Sequence, residues 1–149
     1  MQTVHGIETF SSLSQEPIIL ALGNFDGVHL GHQKIITTTV NLARKQQRKS
    51  AVLIFLPHPL AVLCPESSPN LLITVEDRIR MLNEAGIDYV ILHPFTKDFA
   101  LITPEYFVRR ILVEQLQVAG VVVGYNYSFG HRGCGNSTDL QRYGQEYGF

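Results

Sequence analysis

At 149 residues, 45% hydrophobic and 17% charged with a net charge of −1, the chain has the balance of one globular domain, able to bury roughly 70% of the surface its unfolded form would expose. Twelve glycines, seven prolines and no heptad or low-complexity run exclude collagen-like, disordered and coiled-coil classes. No apolar run approaches the roughly 18 residues of a membrane-spanning helix, and near-neutral charge argues against a broad nucleic-acid footprint. Residues 1–5 carry neither the charged n-region nor the apolar core of a secretory signal. Cys64 and Cys134 lie in no metal-ligand spacing. They are expected as reduced thiols of a cytoplasmic protein.

In chain order, residues 17–22 form a continuous apolar run that ends at Gly23, the pattern of a strand covered on both faces. After a loop over 23–31, apolar residues recur at Ile35, Ile36, Val40, Leu42 and Ala43, close to helical spacing. Arg44, Lys45, Arg48 and Lys49 gather at the far end of that helix, where positive charge offsets the macrodipole. Residues 51–56 form a second apolar strand, stopped by Pro57. Residues 57–70, with four prolines, read as a loop. Thr74, with Asp77 three positions on, caps a helix carrying Ile79, Met81, Leu82 and Ala85 to Gly86. A third strand covers 89–92. Thr103-Pro104 starts a helix with Phe107, Val108, Ile111 and Leu112 as its buried stripe. A fourth strand covers 120–124, a glycine-rich loop follows to Gly135, and Asn136 or Ser137 caps a last helix containing Leu140 and Tyr143.

The order β-α-β-α-β-α-β-α implies a single α/β domain, a doubly wound parallel sheet of Rossmann-like type with right-handed crossovers. Functional loops are expected at the carboxyl ends of its strands.

The first such loop, Gly23-Asn24-Phe25-Asp26-Gly27-Val28-His29-Leu30-Gly31-His32, runs from a buried strand directly into a helix. A helix N-terminus offers free N–H groups and partial positive charge, so it favours phosphate. Gly31 leaves the space between the histidines open, placing His29 and His32 to donate to a polyphosphate. Neither the Walker pattern nor GxGxxG is present. Capping or a surface position is the bland alternative for either histidine. A zinc site lacks a third ligand on the same face, so no metal ligands are assigned.

In Phe55-Leu56-Pro57-His58-Pro59, two prolines fix the backbone around a histidine, preorganising a side chain or simply building a rigid turn. Residues 124–130 mix aromatic faces with the Asn126 amide, a combination suited to a flat ring or to core packing by Tyr127 and Phe129. Cys64 and Cys134 have no setting that demands a thiolate.

The stretch Gly23–His32 resembles the HxGH signature of the nucleotidyltransferase superfamily. Its spelling through Gln33 is more narrowly similar to the bacterial bifunctional riboflavin kinase/FMN adenylyltransferases, or FAD synthetases, and the likeness to their adenylyltransferase domain runs through residues 1–149. The resemblance implies transfer of AMP from ATP to FMN, giving FAD and pyrophosphate, with Mg²⁺ accompanying ATP. It implies His29 and His32 as catalytic residues. Gly23, Asn24, Phe25, Asp26, His29, Gly31 and His32 would bind ATP, and Phe55, Pro57, His58 and Asn126 would bind flavin. Arg78 is either a contributor to the site or part of a solvated helix face, and the family's pattern leaves a phosphate role for Arg132 open.

The implied partners are ATP and FMN and a fused C-terminal riboflavin kinase domain, with no nucleic acid or membrane. A later ATP-binding element and the kinase domain are not visible before Phe149, so the chain reads as truncated. Its last helix is expected to leave apolar surface exposed. A non-catalytic nucleotide- or flavin-binding fragment, and a transferase using another phosphate acceptor, are the alternatives.

Overall fold

The apolar runs form the centre of a parallel sheet, and one further strand, unforeseen, completes its edge. The computed structural model describes the backbone of residues 1–149 and every side chain except that of Val28. The elements are β1 (Gln2–His5), α1 (Ile7–Leu13), β2 (Ile18–Leu22), α2 (Leu30–Lys45), β3 (Lys49–Leu56), α3 (Pro59–Leu63), α4 (Val75–Glu84), β4 (Tyr89–Pro94), α5 (Pro104–Tyr106, continuing as a π-helical stretch over Phe107–Gln115), β5 (Val118–Val122), β6 (Ser128–Phe129), β7 (Gly135–Asn136) and α6 (Ser137–Tyr147).

Five strands pair in parallel in the order β1-β4-β3-β2-β5. Every residue of β2 is buried, because neighbours pair on both sides, with Leu22 opposite Leu53 and Ala21 opposite Val122, while helices cover both faces. Burying each such Ile or Leu contributes about 1.5–3 kcal/mol. On one face, Leu20, Leu22 and Leu53 pack with Phe10, Phe107, Leu112 and Leu140. On the other, Ala21, Val52 and Ile54 pack with Ile36 and Val40 of α2 and Leu82 of α4. From β2 the chain builds outward through β3 and β4, and β5 then docks on the opposite side of β2. The carboxyl ends of β2 and β5 therefore form the topological switch point where such sheets bind ligands.

Several expectations are corrected. Residues 2–5 and 7–13, left without an element, form β1 and α1: Val4, Ile7 and Phe10 are the buried positions, and an edge strand with one inward residue carries little apolar signal. The proline-rich segment contains α3 and a 3₁₀ turn at Pro65–Ser67 rather than a bare loop, since Pro59 sits at a helix's first position, where its missing N–H costs nothing. Helix α2 ends at Lys45, and β3 begins at Lys49, earlier than the apolar run suggests. The loop 124–135 contains the short antiparallel pair β6–β7. Asn136, not Ser137, caps α6 through a reciprocal pairing with Asp139. The expected exposed apolar face of α6 is not there: Leu140 is buried, and Tyr143, Tyr147 and Phe149 lie against the core.

Candidate active site

Gly23 leaves β2, and Phe25 then adopts a left-handed conformation at φ 52° with its ring wholly buried. A bulky residue rarely accepts that backbone, which persists only where its surroundings enforce it. Burial of the ring is the compensation here. Gly27, at φ 75°, continues the turn, and a Cβ there would lie 2.8 Å from Leu72. The chain is thereby folded tightly enough to start α2 two residues after Val28.

His29 is the N-cap of α2, its Nδ1 accepting the His32 N–H at 3.4 Å. The two imidazoles stack across Gly31 with centroids 3.6 Å apart and planes inclined by 23°. Below them the Phe25 ring lies 5.3 Å from His32. Since His29 Nδ1 accepts, the neutral ring carries its proton on the exposed Nε2 side. Among the described residues His32 Nδ1 is buried without a partner, which leaves Nε2 as the ring nitrogen open to a ligand. Burial, then the His29 charge, holds the His32 pKa below its ordinary value, with Arg78 adding to this and Asp26 opposing it. The pair can therefore donate hydrogen bonds into the positive mouth of a helix, a suitable seat for an anion.

Asp26 does not face outward. Its carboxylate accepts from the Leu72 N–H at 3.0 Å and the Ile73 N–H at 3.3 Å, and it pairs with Arg78 Nη2 at 3.6 Å. This fastens the turn to the start of α4, where Thr74 caps by accepting from the Asp77 N–H.

After the cis Leu56–Pro57 bond, His58 caps α3, its Nδ1 accepting from the Leu60 N–H at 3.1 Å, while Nε2 lies 2.9 Å from the Asn24 amide. The proton thus belongs on Nε2, and the oxygen end of the amide is the partner this tautomer requires. Burial first, then Arg78, lowers the His58 pKa.

The structure thus brings Gly23, Asn24, Asp26, His29, Gly31, His32 and His58 together, with exposed Pro57 at the rim. Phe25 contributes a floor beneath His32 and is itself wholly buried. Phe55 does not join them. It lies on the α5 side of the sheet, in an aromatic group with Phe95, Phe99 and His93. Asn126 is exposed beyond β5, its Oδ1 folded back beside Gly124, which itself neighbours Ile35 of α2. Phe129 is core, and Tyr127 stacks on it. Arg132 is exposed.

Two residues carry more than their sequence positions suggested. Arg78 is 2% exposed, which removes the solvated-face reading. Its signal was present: positions 75, 78, 82 and 85 form one helical stripe, and Arg78 interrupts an otherwise apolar row. His93 is buried, with Nδ1 accepting the Ile7 N–H at 3.2 Å. Desolvation lowers its pKa, and Glu8 opposes the shift.

A doubly wound parallel sheet with paired imidazoles over a helix mouth at its switch point defines a Rossmann-like α/β protein built around a histidine-bearing loop. Residues 11–149 match the family model described as FAD synthetase, and the chain belongs to that family. It is 36% identical over all 149 residues to the bifunctional riboflavin kinase/FMN adenylyltransferase of Escherichia coli K12, covering 48% of that protein. It is 40% identical over 126 residues to the protein of the same name from Listeria monocytogenes, covering 84% of this chain and 40% of the relative. The chain therefore spans about half the length of the curated relatives it matches. A solved Streptococcus pneumoniae structure described as a macrolide-efflux protein superposes with a TM-score of 0.80 at 24% identity, over 96% of this chain and 47% of that one, a likeness of fold. Among the described residues, no helix is long and apolar enough to cross a membrane.

Proposed function

We propose that this chain is an FMN adenylyltransferase domain that moves the AMP of ATP onto FMN in the cytoplasm. A phosphate oxygen of FMN attacks the α-phosphorus of ATP in line, the new P–O bond forms as the Pα–O–Pβ bond breaks, and pyrophosphate leaves. Phosphate is already nucleophilic at neutral pH, so what the reaction needs is placement of two anions and neutralisation of developing charge. The observation that carries this reading is the stacked His29–His32 pair over the start of α2. His29 Nε2–H and His32 Nε2 would meet the triphosphate, with first-turn N–H groups of α2 beside them. His58, held by Asn24, and Asn126 would meet FMN.

No three His, Cys, Asp or Glu side chains converge among the described residues, and Asp26 is engaged elsewhere. Mg²⁺ would arrive on ATP and supply charge neutralisation to its phosphates. The names of the relatives pair this activity with riboflavin kinase, and we read the present chain as the adenylyltransferase partner of a kinase domain.

The test is FAD and pyrophosphate release from purified chain given FMN and Mg-ATP. His29→Ala should lower the rate about 10²–10³-fold, as for loss of one oxyanion donor. Binding of both substrates without turnover would instead select a nucleotide- and flavin-binding unit. Turnover within a few-fold of the parent in His29→Ala would overturn the role of the pair.

A further inference from the structure

The Arg78 guanidinium is an expensive object to bury. Among the described residues its Nε and Nη2 are enclosed with no hydrogen-bond partner, and the carboxylate it pairs with, Asp26, stands at 3.6 Å. A buried ion pair with this geometry is weak as a source of stability, and an apolar side chain of similar size would commonly serve the fold as well or better. What the arginine does supply is location. It reaches from the buried stripe of α4, shared with Leu82, to the underside of the 24–32 turn. Asp26, which it faces, is the one carboxylate joining that turn to Leu72 and Ile73.

We infer that Arg78 is a positioning residue: through Asp26 it pins the histidine-bearing turn to the start of α4 and stands as a fixed positive charge behind His32 and His58. The inference rests on the functional reading above and adds a residue to it. The charged and titratable groups acting on His32 are Asp26 and His29 from the turn and Arg78 from α4, and those acting on His58 are Arg78 and Asp26. Arg78 disfavours protonation of both rings. Both rings are then kept neutral until a polyanion arrives, His32 reached through its Nε2 side and His58 with its Nε2–H held by Asn24. Placed on the protein side of the rings, the same charge also adds to the field that a triphosphate would meet.

Two variants separate positioning from mere packing. Arg78→Lys keeps the charge but loses the planar fork. It should fold, its His32 and His58 rings should titrate as in the parent by imidazole ¹H–¹⁵N NMR, and kcat for FAD formation should fall about tenfold from the displaced turn. Arg78→Met removes the charge at similar volume, so both rings should titrate at higher pH than in the parent. Parent-like turnover in Arg78→Lys, or parent-like ring titrations in folded Arg78→Met, would overturn the inference. Should Arg78→Met not fold, the lysine variant decides alone. A parent chain that makes no FAD would sink the functional reading, while the ring titrations would still decide this one.

Discussion

Gly31→Ala should separate the stability of this fold from its chemistry. Gly31 lies in the first turn of α2, where alanine is the better helix former by up to about 1 kcal/mol. A Cβ built there would lie 3.1 Å from His29 Cε1 and 3.2 Å from His29 Nδ1. Such contacts are tighter than ordinary van der Waals packing, so the imidazole has to give way by a few tenths of an ångström. The ring is exposed and can move without disturbing the core. Its movement, however, opens the 3.6 Å stack on His32 and lengthens a cap bond that is already 3.4 Å.

Unfolding free energy should therefore stay within about 1 kcal/mol of the parent, the propensity gain offsetting a weakened cap. FAD formation at saturating ATP and FMN should drop about tenfold, equivalent to about 1.4 kcal/mol in the barrier. Urea unfolding and turnover on the same preparation provide the measurement. Parent-like turnover would refute the claim that the open position between the rings matters, and joint loss of stability and rate would show that the alanine damages the fold instead.

Gly130→Ala should be costly for a different reason. At φ +77° its Cβ would lie 2.6–2.7 Å from the Pro104 ring, so backbone strain and overpacking together should remove about 2–6 kcal/mol of stability by urea denaturation. Gly148→Ala, at φ +82° with nothing within 4 Å, should lose only about 1 kcal/mol, and equal losses would contradict the packing account. Stability should also decline as pH falls below about 6.5, because His32, His58 and His93 are all held below their ordinary value, and the unfolded chain takes up protons first. His93→Asn keeps an acceptor for the Ile7 N–H but does not titrate, so it should flatten this acid limb between pH 7.5 and 5.5. Parallel limbs in parent and variant would remove His93 from the explanation.

The central strands were legible because a strand buried on both faces is written as an unbroken apolar run, as in 18–22 and 51–56. Edge strand β1 was not, since Gln2-Thr3-Val4-His5 presents one buried residue and takes its identity from pairing with residues 89–92. The turn that pairs His29 with His32 was legible because glycine spacing and histidine placement are local properties. Its fastening was not. Asp26 finds Leu72 and Ile73 across 46 and 47 positions of sequence, and a carboxylate gives no sign of which distant N–H groups it will accept. Phe55 shows a related limit: strand alternation sets it on the opposite face from Ile54 and Leu56, a separation that its closeness in sequence to Pro57 and His58 does not convey. Arg78 is the instructive intermediate, a charge on an apolar helical stripe that the 3.6-residue period alone could have marked as buried.

The position of β1 also bears on how the chain is made. Gln2 pairs with Tyr89, and the Ile7 amide waits for His93. At ribosomal speeds of roughly 5–20 residues per second, the opening segment of a nascent chain emerges several seconds before its docking partner exists. During that interval Ile7 and Phe10 have no lodging, and a holdase that shelters them would raise the yield of folded protein during synthesis.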